Sequence, residues 1–213
     1  MKIRGAIVDL DGTIIDSMGM WKNLGVRFLE GMSIRPEEGL SAKLSPMGIG
    51  EACEYLRERY ALPMNDEEIY AKILSLIEDG YKRTLQLKPH AAEFLERLRS
   101  MGVKAVAATA TDRALAEAAL KRLGVIDLFS GLITEREAGA SKKEPEIFLR
   151  ALEILGTPIE ETAVFEDALH ALRTAKKAGF ITVAVEDEAS HGELKEIIKI
   201  ADVFIETLAD WRF

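Results

Sequence analysis

Cysteine is almost missing. Among 213 residues there is one, Cys53, so no internal disulfide can form, and a reducing, cytoplasmic setting is expected. Positive charge is in short supply too. Lys and Arg number 28 against 36 Asp and Glu, for a formal net charge of -8. That argues against broad binding to nucleic acid or to an anionic membrane, which needs a basic face. It leaves room for a local cation-lined pocket. Long hydrophobic runs are absent, since no window approaches the roughly 18 apolar residues of a membrane helix. The opening segment, MKIRGAIVDLDGT, has a short apolar run broken by acids and does not read as a signal peptide. Three histidines, His90, His170 and His191, are scattered and make no zinc site. No G-x-x-x-x-G-K-[ST] occurs, which removes a P-loop kinase. There is no low-complexity tract and no long linker.

What remains is an ordinary globular composition, 48% hydrophobic and 30% charged, enough for one large domain or a domain with an insert. From residue 89 onward a unit recurs. A helical stretch ends at glycine and an apolar run follows: AAEFLERLRSMG before VKAVAAT, RALAEAALKRLG before VIDLFSGLIT, EIFLRALEILG before TPIEETAVFE, ALHALRTAKKAG before FITVAV. Apolar residues in each helix recur at three- and four-residue steps, as in Phe94, Leu95, Leu98 and Met101. Gly102, Gly124, Gly156 and Gly179 stand where a left-handed C-cap is wanted. Short apolar runs between helices are the mark of strands covered on both faces, so an α/β fold with a parallel sheet and right-handed crossovers is expected. The strands are placed near 3–9, 104–109, 131–134, 163–166, 181–185 and 202–205, the last as a candidate edge.

Residues 15–87 break this rhythm and read as helices only, about 18–31, 49–60 and 66–84, with Asn65 as N-cap of the third. The expected organisation is therefore an α/β core of residues 1–14 and 88–213 interrupted after the first strand by a helical insert, 15–87. The two crossings fall near 13–17 and 84–89.

Ligands of an open parallel sheet bind at the carboxyl ends of its strands. Polar clusters fall there. Asp9 and Asp11 follow the first strand; Thr109, Ala110 and Thr111 the second; Lys142 the third; Glu166 and Asp167 the fourth. Asp9, Glu166 and Asp167 together would repel one another without a cation, and Mg²⁺ with its oxygen ligands answers that need. Lys142 would add a second positive charge, while the Thr109 hydroxyl and nearby backbone N–H groups would add neutral donors. Such a site spreads charge over a transferring phosphoryl group. One carboxylate can serve as nucleophile and another as the acid and base that moves protons at the leaving oxygen and at water. Gly12 turns the chain, so the two strand-end aspartates can approach a phosphate from different angles.

These residues resemble the haloacid dehalogenase superfamily over nearly the whole chain. DLDGT is similar to its first motif, which implies Asp9 as nucleophile and Asp11 as general acid and base. Thr109 resembles the second-motif hydroxyl and, with Ala110, implies phosphate binding. Lys142, in SKKEPEIF, resembles the third-motif lysine; the family often has proline directly after it, whereas Lys143 stands here and Pro145 comes later, so Lys143 stays open as a partner in that role. VFEDALHALRTAKKAG resembles the fourth motif and implies Mg²⁺ ligation by Asp167, with Glu166 as a ligand or as a partner behind the ligands; Asp9 and the backbone carbonyl of Asp11 would complete the protein's ligands. The helical insert is similar to the cap of the β-phosphoglucomutase-like subgroup. That likeness implies a Rossmann-like sheet of order 3-2-1-4-5, with substrate between core and cap.

The departures shape the functional expectation. The subgroup's mutases carry a cap arginine and an early histidine, and those positions fall near Met47 and Trp21. A simple Mg²⁺-dependent phosphatase of a small phosphorylated metabolite is thus favoured over a sugar-phosphate mutase. Asp11 argues against halide chemistry, and the cap lysines Lys22 and Lys43 lack the setting of a phosphonatase. A slowly dephosphorylating acceptor domain of the signalling kind is the reading from another class; the insert after the acids and the paired acids after the fourth strand speak against it. Plainer roles exist for single residues. Glu166 and Asp167 could cap a helix beginning near 168, Lys142 could be a solvated loop lysine, and Trp21, Met18, Met20 and Met47 suit packing. A monomer without nucleic-acid or membrane partners is expected, with a dimer left open.

Overall fold

The computed structural model describes residues 3–45 and 47–212. The outer bounds of the expected core, 1 and 213, and Pro46 of the KLSPMGIG segment lie outside the described residues. The chain divides into two compact units, Met1–Asp16 with Leu85–Phe213, and Ser17–Thr84.

The first unit is a six-stranded sheet in which every pairing is parallel. Its strands are β1 (Gly5–Val8), β2 (Lys104–Thr109), β3 (Gly131–Thr134), β4 (Thr162–Glu166), β5 (Ile181–Val185) and β6 (Val203–Ile205), in the order β3-β2-β1-β4-β5-β6. The order places β1 between β2 and β4, with Val8 beside Ala107 and Phe165. The expected strand at 3–9 is shorter than predicted, because Asp9 keeps only its N–H bond to the Phe165 carbonyl (3.0 Å) before the chain turns away. The candidate edge strand is real and extends the sheet beyond β5.

Alternation along the strands sorts the core. Ile7, Val106 and Val164 pack on one face with Phe148 and Ala151 of one crossover helix and Ala171 and Ala175 of another. The next residue of β4, Phe165, points the other way, as the two-residue period of a strand requires. There its ring meets Phe94 and Trp211 edge-on, with centroids 4.9 and 5.2 Å away. The crossover glycines do what their positions require: Gly102, Gly124, Gly156 and Gly179 have φ of +73°, +75°, +64° and +101°.

The second unit is helical, and no strand forms among its described residues. It contains α1 (Met18–Lys22), α2 (Leu24–Gly31), α3 (Leu40–Leu44), α4 (Ile49–Tyr60) and α5 (Asp66–Asp79). The expected single helix at 18–31 is broken at Asn23. Its side chain donates to the Gly19 carbonyl (2.9 Å) and accepts from the Ser41 hydroxyl (2.9 Å), a local alternative to the helical ladder. α3 was not foreseen, since five residues are too few to show a period. α5 opens on Asn65 as expected: its side chain accepts from Glu68 N–H, and Glu68 returns a bond to Asn65 N–H, both at 2.9 Å. Ile69, Ile73 and Ile77 form its buried stripe. The predicted helical end at 84 is instead a π-helical turn, Gly80–Thr84, which buries Tyr81. Trp21 donates to the Tyr81 hydroxyl (3.1 Å) within this unit, and Met20 is buried.

The remaining helices of the first unit are α6 (Ala91–Ser100), α7 (Arg113–Arg122), α8 (Glu135–Ala138), α9 (Glu146–Leu155), α10 (Leu169–Ala178) and α11 (Leu194–Ile200). Among the described residues no helix is long and apolar enough to cross a membrane.

Candidate active site

The carboxyl ends of β1 and β4 lie side by side, so the residues that follow them meet. Asp9, Glu166 and Asp167 are all buried, and a carboxylate oxygen of each lies within 4.8 Å of the others. Lys142 enters from the loop between α8 and α9. Its N–H donates to the Glu135 carboxylate (2.6 Å), and its ammonium bridges Asp9 Oδ1 and Glu166 Oε1, the latter at 2.6 Å. Lys142 is 4% exposed, whereas Lys143 is out in solvent. The neighbouring lysine is thereby separated from the cluster.

Glu166 has two duties. Its Oε1 meets Lys142, and its Oε2 accepts the Ala168 N–H (2.9 Å) at the start of α10. The Lys142 ammonium and the N–H of the residue before α10 thus meet the two oxygens of one carboxylate, while no side chain caps the helix itself. Asp167 is approached by two hydroxyls at 3.4 Å, Thr13 Oγ1 on Oδ1 and Ser190 Oγ on Oδ2. Gly12 explains itself here. Its φ is +89°, and a Cβ at that position would lie 2.6 Å from Asp167 Oδ2. A side chain would add backbone strain of roughly 1–2 kcal/mol to that collision.

Asp11 is half-buried and does not join the three carboxylates; its Oδ2 accepts from the Thr111 hydroxyl (2.6 Å). The two aspartates thus meet different partners, Asp9 the Lys142 ammonium and Asp11 the Thr111 hydroxyl. Thr109 is fully buried, and its hydroxyl oxygen accepts the Thr111 N–H (3.0 Å). That leaves the hydroxyl hydrogen for another acceptor. Ala110, between them, is exposed. His170 is exposed on α10, and His191 pairs with Glu186 (2.9 Å).

Three carboxylates against one ammonium give the cluster an excess of negative charge if all are ionised. Burial pushes the Asp9 carboxyl up to about 8; Lys142 opposes this, while Glu166 and Asp11 add to it. Burial likewise raises Asp167 well above the carboxylate range, helped by Glu166, Asp9 and Asp187. Burial draws Lys142 toward neutrality, but Asp9 and Glu166 outweigh it and hold the ammonium above the usual lysine range. Among the described residues Asp9 Oδ2 is buried with no hydrogen-bond donor. A buried carboxylate oxygen in that condition costs several kcal/mol unless a cation completes it. The donor set is all oxygen and anionic, which suits a hard divalent ion such as Mg²⁺.

Some of the surrounding support was not foreseen. Thr13, Ser190, Lys88 and Asp187 come from distant parts of the chain, and their residue types are common in loops. Only the partners they meet single them out, and those are not written in any local pattern.

The family model for haloacid dehalogenase-like hydrolases matches residues 3–179. A candidate pyrophosphatase, PpaX, of Caldanaerobacter subterraneus subsp. tengcongensis is 29% identical, covering 98% of this chain and 92% of that protein. A phosphorylated carbohydrates phosphatase of Thermotoga maritima is 25% identical over 83% of this chain and 82% of its own length. A solved structure of a candidate β-phosphoglucomutase from Thermotoga maritima superposes with a TM-score of 0.85 at 25% identity, covering 96% of this chain and 94% of that one. With most of its length matched by the family model and the same architecture in a solved relative, the chain belongs to the haloacid dehalogenase-like hydrolases.

Proposed function

We propose that the protein is a Mg²⁺-dependent phosphatase that hydrolyses a small organic phosphate monoester through a phosphoaspartyl intermediate at Asp9. The observation that carries this reading is the Asp9 carboxylate, buried with one oxygen on Lys142 and the other without a donor beside two further carboxylates. The names of the phosphatase relatives support phosphate chemistry.

Asp9, Glu166 and Asp167 would hold the ion, with the Asp11 carbonyl as a further ligand. Bound there, Mg²⁺ would neutralise the carboxylates, keep Asp9 ionised and polarise the phosphoryl group. The side chains supply the rest. The Asp9 carboxylate attacks phosphorus, a P–O bond forms, and the P–O bond to the leaving group breaks. Asp11, protonated at that moment, gives its proton to the leaving oxygen. Asp11 then takes a proton from water, and the water oxygen attacks the phosphoaspartate. Inorganic phosphate leaves and the Asp9 carboxylate is restored. Lys142 balances charge at Asp9, while the Thr109 hydroxyl and the Ala110 N–H donate to phosphoryl oxygens. Thr111 holds Asp11 in place between turnovers.

The test is phosphate release from a panel of small phosphate esters, in Mg²⁺ and in EDTA, for wild type and Asp9→Asn. Release should require the ion, and Asp9→Asn should lower kcat by on the order of 10³-fold or more. Near wild-type activity in Asp9→Asn would sink the nucleophile assignment. Undiminished release after chelation would sink the metal assignment. Isomerisation of a sugar phosphate without net release would replace the phosphatase with a mutase.

A further inference from the structure

Lys88 stands directly before Pro89, where the chain re-enters the first unit. The returning segment pairs with the outgoing one inside that unit. Asp16 N–H donates to the Gln86 carbonyl (2.9 Å), Ile15 and Leu87 form an antiparallel bridge, and Lys88 N–H donates to the Ile14 carbonyl (2.8 Å). The Lys88 side chain reaches further. Its ammonium donates to the Gly12 carbonyl (2.7 Å), the Glu186 carbonyl (2.6 Å) and Asp187 Oδ2 (2.9 Å). An ammonium has three protons, and here each has an acceptor. The Lys88 side chain is 17% exposed and that of Asp187 9%, so this is a largely desolvated junction, unlike a surface ion pair.

What the ammonium grips matters. Gly12 joins Asp11 to Thr13. Its backbone lies against the Asp167 carboxylate, and the Thr13 hydroxyl donates to the same group. The Glu186 carbonyl and Asp187 follow β5, two strands from β1 in the sheet. One side chain therefore ties Gly12, which directly follows the two aspartates, to the segment after β5. The turn is held internally by the Gly12 N–H on the Ile15 carbonyl (3.0 Å) and the Ile14 N–H on the Leu10 carbonyl (2.9 Å), and the Lys88 ammonium adds a restraint on the Gly12 carbonyl from outside it.

We propose that Lys88 is a positioning residue for the reaction. Its ammonium clamps the Gly12 peptide, and through it sets Asp11 on one side and the Thr13–Asp167 contact on the other. The proposal rests on the phosphatase reading above for the roles of those groups. A simpler alternative is charge balance, in which Lys88 serves only to neutralise Asp187. The two differ in what happens when Asp187 is neutralised by other means.

The experiment compares wild type, Lys88→Met and the double variant Lys88→Met/Asp187→Asn by two readouts. The first is steady-state phosphate release in Mg²⁺ with the best ester of the panel. The second is amide hydrogen exchange of the metal-free proteins, followed in peptides covering residues 9–16 and 91–100. With the clamp lost, exchange should quicken in 9–16 and stay at the wild-type rate in 91–100. A loosened reacting geometry should lower kcat by roughly 10–100-fold, with KM changed far less. Asp187→Asn should not restore it. Unchanged exchange at 9–16 overturns the proposal, and so does recovery of kcat in the double variant, which would leave charge balance as the whole role. If Lys88→Met does not fold, Lys88→Gln, neutral but still a donor, is read by the same two measurements. If wild type releases phosphate from no ester, the phosphatase reading falls; the exchange rates still decide whether Lys88 holds the turn.

Discussion

At Asp9 one carboxylate oxygen faces an ammonium and the other faces no donor. That asymmetry gives Lys142 a part in the stability of the folded state, apart from any chemistry. Removing it in Lys142→Met would leave Asp9 and Glu166 buried with no cation. Breaking a buried pair in this way typically costs about 3–5 kcal/mol. Urea denaturation in EDTA should show a loss of that order, and Mg²⁺ should shrink it by supplying the missing positive charge. A denaturation midpoint equal to that of wild type would contradict the role. Sequence alone could propose Lys142 but left open that Lys143 beside it shares the role. The difference lies in one residue of loop geometry, set when the Lys142 N–H bonds to Glu135 and turns that side chain inward. Nothing local in SKKEPEIF encodes this.

The short helix α8 shows how an element can carry a pH dependence of its own. Thr134 and Glu137 cap it reciprocally, and Arg113 from α7 donates to Glu137 (2.9 Å from Nη2 to Oε2). The Arg113 hydrogen bonds, aided by Thr134, hold the Glu137 carboxyl down at about 2. A carboxylate whose folded pKa is depressed contributes stability above its unfolded pKa, here near 4.5, and that contribution fades as pH falls toward 2. Acid denaturation of Glu137→Gln should accordingly lack this part of the pH slope between about 4.5 and 2. An identical slope would show that the pair contributes nothing in solution. The strands and crossover helices were readable because apolar runs, three- and four-residue steps and terminal glycines repeat four times. The break at Asn23 and the five residues of α3 were not. Asn23 is decided by Ser41, eighteen residues away, and α3 is shorter than the window in which a helical period shows. The strand order came from family resemblance, since no local pattern says that β1 lies between β2 and β4.

For the molecule as a whole, an ion that binds only the folded chain must stabilise it. At a Mg²⁺ concentration about 100 times its dissociation constant the gain is about 2.7 kcal/mol, which for a chain of this length raises Tm by about 5–10 °C. Asp167→Asn should lose most of that shift, as scanning fluorimetry with and without Mg²⁺ would show. A full shift in the variant would remove Asp167 from the ion's ligands. The sheet order has one further consequence, for the growing chain. β1 is made first, yet its neighbours in the sheet, β2 and β4, begin at Lys104 and Thr162. At synthesis rates of about 5–20 residues per second, the strand that leads into Asp9 waits roughly 8–30 s for its second partner. The whole of Ser17–Thr84 emerges in that interval. The apolar segment GAIV is thus born as an unpaired edge at the ribosome, and it becomes an interior strand of the sheet only once β4 has emerged.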